Sequence, residues 1–374
     1  MVPDNHQVCS RCVMDTTARD ITFDENGVCN YCTYFENHVN DVVFESDEER
    51  SVRRKEFIEQ VKAAGKNKPY DCVMGLSGGV DSSYALHLAL EEGLRPLAVH
   101  MDNNWNSELA TNNIKNLVSG LNVDLHTHVI NWPEYKQLMQ SFFDADVIDV
   151  ELLYDNAMLA VNYNQARKYG IKYILSGSNS ATEGMPMPEG WNWKKWDKKN
   201  IKAIGKRGGV KLKTFPSVGI VDYLANRLIR GIQWVPYLDY YDYRKDAALD
   251  LLETRYEYKR YPYKHYESIF TRFYQGYILP EKFSVDKRKL HLSTLVMSDQ
   301  MSRLDATERL SHSPYATIEE LESDKKYFLK KMGWENSDLF DYLSRSPMAH
   351  DEYPSSVVQW ELLRRMYHRF KENR

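Results

Sequence analysis

The stretch YDCVMGLSGGVDSSYALHLAL, residues 70–90, constrains the fold of this chain more than any other. An apolar run ends in Ser-Gly-Gly-Val-Asp-Ser-Ser and passes directly into helical periodicity. A strand that feeds a helix through glycines aims backbone N–H groups and the positive helix end at an anion. Gly78 and Gly79 let the backbone approach phosphates, and Ser77, Ser82 and Ser83 add hydroxyl donors. Asp81 repels phosphate unless a divalent cation lies between them, so the loop implies Mg2+. No Gly-Lys-Ser/Thr ending follows, which counts against a Walker-type loop. A cradle without lysine suits a pyrophosphate that leaves while the α phosphate is attacked. The competing interpretation is a plain Gly-Gly turn with a Ser/Asp helix cap. Its position at the first strand of an α/β unit weakens that alternative.

The rest of the first half alternates. DCVMGLS, RPLAVHMD, VDLHTHVI and IKYILSG read as strands, and the segments between them carry helical patterns, the longest from about 133 to 169. This order predicts an α/β fold, a parallel sheet with helices on both faces. Ligands of such sheets bind at the carboxyl ends of the strands. The loop at 77–83, the HMDNNW turn with Asp102 and Asn103, and the SGSNSATEG turn with Gly177, Asn179, Thr182 and Glu183 should therefore surround one crevice. For Asp102, Asn103, Asn179, Thr182 and Glu183, magnesium, nucleotide or substrate contact competes with turn and cap chemistry. Trp105 reads as packing. From about 184 the pattern changes. The basic, tryptophan-bearing stretch 191–213 reads equally as a solvated loop or a substrate flap, with RNA contact behind both. Helices follow at about 244–255, 264–277, 284–310, 317–331 and 355–372. The organisation expected is 1–45 zinc ribbon, 46–69 charged helix and linker, 70–230 nucleotide domain, and 231–374 helical substrate or partner domain.

The ribbon rests on cysteine spacing. Four of the five cysteines form CSRC and CNYC, with 16 residues between the pairs. Two C-x-x-C turns at this distance supply Cys9, Cys12, Cys29 and Cys32 to one tetrahedral zinc, with Gly27 positioned for the turn before the second pair. Paired disulfides or redox thiols are the alternative, which a reducing compartment disfavours. Such a closed site is structural. Cys72, inside the first strand, reads as a small buried residue. No apolar run is long enough to span a membrane, and the polar N-terminus lacks a signal-peptide core, so a cytoplasmic chain is expected. A net charge of −4 gives no field to draw nucleic acid or membrane.

SGGVDSS in this setting resembles the motif of the N-type ATP pyrophosphatases, the PP-loop superfamily, with its adenine nucleotide alpha hydrolase-like fold. The resemblance implies ATP, magnesium, a pyrophosphate grip by Ser77, Gly78, Gly79, Asp81 and Ser82, and adenine near Val99 to Asp102. A closer resemblance is carried by CSRCVMDTTARDITFDENGVCNYC, HMDNNWNSELATNNIKNL, SGSNSATEG and KHYESIFTRFYQGYILPEKFSVDKRKLHLSTLVMSDQMSR. From about residue 8 to 310 the chain is similar to the bacterial N-acetyl sugar amidotransferases of surface-polysaccharide, O-antigen and flagellin-glycan biosynthesis. It departs from them in reading Tyr-Pro-Tyr, not Gly-Gly, before Lys264-His265.

That family implies adenylation of the acetamido oxygen of an N-acetylated, nucleotide-linked or free amino sugar. Ammonia then displaces AMP and leaves an acetamidino sugar. Ammonia must be made beside the site, because ammonium is no nucleophile. No cysteine here stands at the terminus or on a strand-to-helix elbow, so a separate glutaminase is expected; the family resemblance implies a cyclase-like channel subunit beside it. The cations for the phosphates are expected at Lys264, Arg272, Lys287 and Arg288, with Lys264 and Arg272 on one helix face. Glu267 is expected to orient Lys264 or accept a proton from ammonia. Paired surface charges are the alternative for each, and His265 reads equally as a sugar contact or a structural residue. A tRNA-modifying adenylating enzyme is the second candidate. The chain has no spare thiol, which disfavours sulfur transfer but not amination of RNA, and a nucleic-acid partner is disfavoured. A homo-oligomer stays open.

Overall fold

The computed structural model describes residues 6–261 and 267–372. Helices α1 (Asn30–His38) and α2 (Asn40–Val43) follow the cysteine loops, and α3 (Asp47–Gly65) leads into the sheet. Ser46 caps α3 by accepting the Glu49 N–H, and Asp47, Glu48 and Glu49 suit the positive end of its dipole. The sheet then builds as β1 (Cys72–Gly75), α4 (Val80–Glu91), β2 (Pro96–Asp102), α5 (Glu108–Leu121) and β3 (Leu125–Val129). After α6 (Trp132–Asp144) and α7 (Leu152–Lys168) come β4 (Tyr173–Ser176), α8 (Ser180–Glu183), α9 (Lys198–Arg207), α10 (Ile220–Leu224) and β5 (Gln233–Pro236).

Among the described residues the strands form one five-stranded parallel sheet, in the order β3-β2-β1-β4-β5. Alternate residues of the central strands feed two cores. Val73, Leu97, Val99 and Ile174 face one, while Cys72, Met74, Ala98 and Leu175 face the other. The chain leaves β1 toward β2 on one side and returns to β4 on the other. The carboxyl end of β1 is thus the topological switch point, and residues 76–79 lie there.

The C-terminal part is helical: α11 (Lys245–Tyr256), α12 (Ile269–Phe273), α13 (Leu279–Phe283), α14 (Arg288–Met297), α15 (Arg303–Ser311), α16 (Ile318–Met332), α17 (Asn336–Ser344) and α18 (Val357–Glu372). One apolar core runs from the cysteine loops through the sheet to α16 and α17. Among the described residues no helix is long and apolar enough to cross a membrane.

The structure changes several expectations. The fifth strand, 233–236, falls in the part expected to be helical; its four residues carry no clear alternation, and only pairing with β4 makes it a strand. The pattern at 133–169 is two helices broken around Asp146, which takes a positive φ of 53°. That at 284–310 breaks at Asp299, with a φ of 57°. Stretch 191–213 is not a solvated loop. Trp191 is buried, α9 lies inside it, and Asn156, itself fully buried, donates to the Lys195 carbonyl at 2.8 Å.

Candidate functional site

The loop at the switch point is closed on itself by its hydroxyls. Ser82 Oγ accepts the Ser77 N–H (3.3 Å), lies 3.2 Å from Ser77 Oγ, and reaches the Gly79 carbonyl (3.2 Å). The Gly79 N–H donates to Ser77 Oγ at 3.2 Å. Gly78 has a φ of +87°, and a Cβ there would come within 3.0 Å of the Ala110 carbonyl oxygen. Both facts call for glycine. From β4, Gly177 packs so tightly against the start of α4 that a Cβ would lie 2.6 Å from the Ser82 nitrogen. The loop and the β4 turn therefore share one wall, as expected. Ser83 does not join them. It is fully buried one turn into α4, away from solvent.

Three tyrosines that the sequence analysis did not single out hold this loop. The Tyr243 hydroxyl donates to Asp81 Oδ1. Tyr258 and Tyr261 both donate to the carbonyl oxygen of Gly78, at 3.0 and 2.9 Å. Burial, with the Asp81 and Glu183 carboxylates nearby, pushes the Tyr243 phenol pKa well up, so it stays a donor. The only sequence signal for them is the abundance of tyrosine between 231 and 280, which does not distinguish loop contacts from packing.

The other strand ends are turns with strong local chemistry. Asp102 Oδ1 accepts from the Asn104 N–H (2.8 Å) and Asn106 Nδ2 (3.3 Å). Asn103 Oδ1 accepts the Trp105 N–H at 3.1 Å. Asn179 Oδ1 caps α8 through the Thr182 N–H at 2.8 Å, and both residues are buried. Asp102 and Asn103 thus bond within their turn, and Asn179 caps a helix. Val99 is interior to β2, its side chain in the core and its carbonyl bonded to the Leu76 N–H at 2.8 Å. His100 Nδ1 donates to the Leu76 carbonyl (2.8 Å), tying β2 to the residue just before Ser77. Trp105 is fully buried against Trp132, Phe270 and Phe328, the packing role expected.

Glu267 reaches the loop. Its Oε1 lies 3.5 Å from where a Cβ of Gly79 would stand. The backbone sets this position: the Ser107 N–H donates to the Glu267 carbonyl and the Ile269 N–H to that of Trp105, both at 2.9 Å. Lys264 and His265 lie outside the described residues. Among the described residues the helix that carries Arg272 begins at Ile269, capped by Ser268.

The remaining expected phosphate cations are each held by a carboxylate. Arg272 forms a two-pronged ion pair with the buried Asp324 of α16. Arg288 clasps Asp286 and also the carbonyls of Arg309 and His312. Lys287 pairs with Glu151 at 2.8 Å. Burial works against its ammonium, but Glu151 and Asp149 outweigh it and raise its pKa. A cation that was missed, Lys195, meets Asp155 in the first turn of α7 at 3.1 Å. Its side chain is 51% exposed, and Asp155, then Glu183 and Asp149, keep it charged.

At the other end of the chain the four cysteine sulfurs converge. Cys9–Cys32, Cys12–Cys29 and Cys29–Cys32 Sγ separations are 3.8, 3.7 and 3.7 Å, and all four sulfurs lie within 4.8 Å of one another. A tetrahedron with bonds of about 2.3 Å has edges of about 3.8 Å, so the four fit a single tetrahedral ion. They are too far apart for disulfides. Backbone N–H groups of Arg11, Cys12 and Cys29 point at Cys9 Sγ (3.4, 3.5 and 3.3 Å), as a thiolate requires. The knuckle docks on the helical part: Arg303 donates to the Cys9 and Cys12 carbonyls (2.9 and 3.0 Å), and Lys289 pairs with Asp15. Gly27 takes the positive φ expected of it, 75°.

Residues 51–185 match the family model described as NAD synthase, and residues 267–367 match the one described as LPS biosynthesis protein WbpG-like, C-terminal domain. The second match begins at Glu267. No curated protein matches the chain. Among solved structures, NMN synthetase from Francisella tularensis is 16% identical, with 58% of this chain and 98% of that one covered and a TM-score of 0.25. The NH3-dependent NAD synthetase from Campylobacter jejuni, in complex with nitrate, is 17% identical, with coverage of 56% and 93% and a TM-score of 0.28. The U34-tRNA thiolase NcsA from Methanococcus maripaludis, with its 4Fe-4S cluster, is 11% identical, with coverage of 82% and 89% and a TM-score of 0.31.

Proposed function

We propose that this chain, which joins an NAD-synthase-like PP-loop domain to a WbpG-like C-terminal domain, is an ATP-dependent amidotransferase acting on the acetamido group of an N-acetylated amino sugar. The observation that carries this reading is the join itself. The first residue of the WbpG-like segment, Glu267, has its carboxylate against Gly79 of the loop. A domain of the lipopolysaccharide-biosynthesis kind thus supplies an acid–base group beside the phosphate cradle.

In the first step the acetamido oxygen attacks the α phosphorus of ATP. The bond to the β-phosphate oxygen breaks and pyrophosphate leaves into the grip of Ser77, Gly78, Gly79 and Ser82. In the second, ammonia adds to the imidate carbon, Glu267 takes a proton, and AMP departs with the former acetamido oxygen, leaving the amidine. Asp81 would hold a magnesium ion, which is bound by one or two carboxylates plus phosphate oxygens and would supply charge neutralisation at the phosphates. With Arg272 and Arg288 engaged elsewhere, the loop and the start of α4 face the developing charge, and a magnesium ion held at Asp81 would supply further neutralisation.

Zinc is the natural occupant of four convergent thiolates and has a structural role there. Ammonia comes from a separate glutaminase subunit through a cyclase-like channel subunit. The reading is supported by the cysteines: four converge on the metal site, and Cys72 is fully buried with its thiol pKa pushed up by that burial. Lipopolysaccharide or related surface glycan is the destination that the WbpG-like segment favours.

The test is release of AMP and pyrophosphate with ammonium present, measured against acetamido nucleotide sugars and against bulk tRNA. Sugar-dependent release with an acetamidino product is expected. Release stimulated by tRNA alone would establish the tRNA-modifying alternative in its place.

A further inference from the structure

We propose that Tyr258 and Tyr261 are positioning residues for pyrophosphate: together they hold the Gly78 carbonyl out of the phosphate cradle and so keep the loop in its anion-binding state. The inference rests on the reading of residues 77–82 as the grip for the ATP phosphates.

Gly78 sits at a φ of +87°, where the peptide joining it to Gly79 has no side chain to lock it. Turned one way, this peptide points its N–H into the loop; turned the other, it points a carbonyl oxygen there and opposes an anion. In the structure the N–H of Gly79 meets Ser77 Oγ, on the inner side of the loop. The carbonyl oxygen points oppositely and accepts two phenol hydrogens, from Tyr258 at 3.0 Å and Tyr261 at 2.9 Å. A carbonyl has two lone pairs, and both are used.

The two phenols are themselves fixed. Asn113, buried on α5, grips the intervening Lys259 backbone with two bonds: Nδ2 donates to its carbonyl (3.0 Å) and Oδ1 accepts its N–H (2.9 Å). The rings meet edge to face at 6.1 Å. Burial raises both phenol pKa values, so both remain donors at any working pH. Such an anchor is more than a packing contact needs, and it ends on one atom of the loop.

The test uses Tyr258→Phe, Tyr261→Phe and the double variant, each full length. Equilibrium binding of Mg-ATP, Mg-pyrophosphate and AMP is measured alongside thermal unfolding without ligand. Because the two donors share one acceptor, each single variant should weaken ATP and pyrophosphate binding by no more than about threefold. The double variant should weaken them by about tenfold or more, a non-additive loss. AMP, which lacks pyrophosphate, should bind the double variant within about twofold of wild type. A general loosening of the fold would weaken all three ligands alike, and that result overturns the inference. So does a double variant that unfolds as wild type does and binds pyrophosphate unchanged. If the wild-type chain binds none of the three, the ATP reading falls and this inference with it.

Discussion

Gly177 stands in backbone contact with Ser82: a Cβ on the glycine would lie 2.6 Å from the serine nitrogen and 2.8 Å from its Cα. The turn after β4 and the first turn of α4 are thus pressed together with no side chain between them. Gly177→Ala must push the two apart, because a backbone neighbour cannot rotate away. Overpacking of this kind costs about 1–3 kcal/mol of stability. The displaced atoms belong to the loop proposed to hold the ATP phosphates, so ATP binding should fall further than stability does. Thermal unfolding and a nucleotide titration on the same variant would separate the two effects; a variant that binds ATP normally would show that the contact is incidental.

His350 and Asp149 predict a pH dependence in which two opposite slopes mask each other. His350 is buried, donates from Nδ1 to Asn200 Oδ1 (2.8 Å) and accepts the Asp149 N–H at Nε2 (3.1 Å), so both nitrogens are spoken for only in the neutral ring. Burial lowers its pKa to about 3. A base held neutral contributes stability that is whole above its unfolded value of 6.5 and is lost as pH falls toward 3, at up to about 1.4 kcal/mol per pH unit. For Asp149, burial raises the pKa to about 6. That acid penalises the fold above pH 6 and relieves it as pH falls toward 4. Between pH 6 and 4 the two slopes largely cancel. Urea unfolding across pH 7 to 4 should therefore change little from these groups in the wild type. It should show acid-weakened stability in Asp149→Asn, and acid-strengthened stability in His350→Gln. Parallel profiles in all three chains would refute the assignment.

How much of this could be read from the sequence follows a physical line. Local patterns were legible: the strand–loop–helix around Ser77, the four-cysteine spacing, and the alternation that makes a parallel sheet all rest on neighbours in the chain. Contacts between distant segments were not. That Arg272 spends its charge on Asp324, 52 residues on, leaves no trace in the periodicity of either helix. The same holds for Tyr258 and Tyr261, which reach Gly78 across some 180 residues. Lysines dominate stretch 191–213, so a solvated loop reads as well there as a substrate flap. Buried Trp191 and the grip of Asn156 on Lys195 anchor the backbone, while most of the lysines stay exposed. The β5 strand was invisible for a related reason, since only its neighbour β4 defines it.

The cysteine site predicts one tightly held ion per chain. Metal analysis of the purified protein should find about one zinc per chain, released only when the knuckle opens or the thiols are alkylated. Cys29→Ser should lose the metal and lower the unfolding temperature. It should also loosen α14 and α15, because Arg303 and Lys289 depend on the carbonyls of Cys9 and Cys12 and on Asp15. Hydrogen exchange over 288–311 is the measurement, and unchanged protection there would mean that the knuckle hangs free of the helical part.

Arg272 and Asp324 allow structure and catalysis to be told apart. Asp324 is 3% exposed and accepts from both prongs of Arg272, with the Tyr315 hydroxyl at 3.0 Å as a further donor. Arg272→Met leaves a buried carboxylate without its cation, and such a loss typically costs about 3–5 kcal/mol. If the arginine serves the phosphates, removing Asp324 as well repairs nothing in the reaction. If its work is to join α12 to α16, the double variant Arg272→Met with Asp324→Leu removes both charges together and should regain most of the lost stability, as apolar replacements of buried pairs do. The structure favours the second outcome. The single variant should be unstable, and the double should unfold near the wild-type temperature and release pyrophosphate within several-fold of wild type. A double variant that folds but cannot turn over would return Arg272 to the reaction centre.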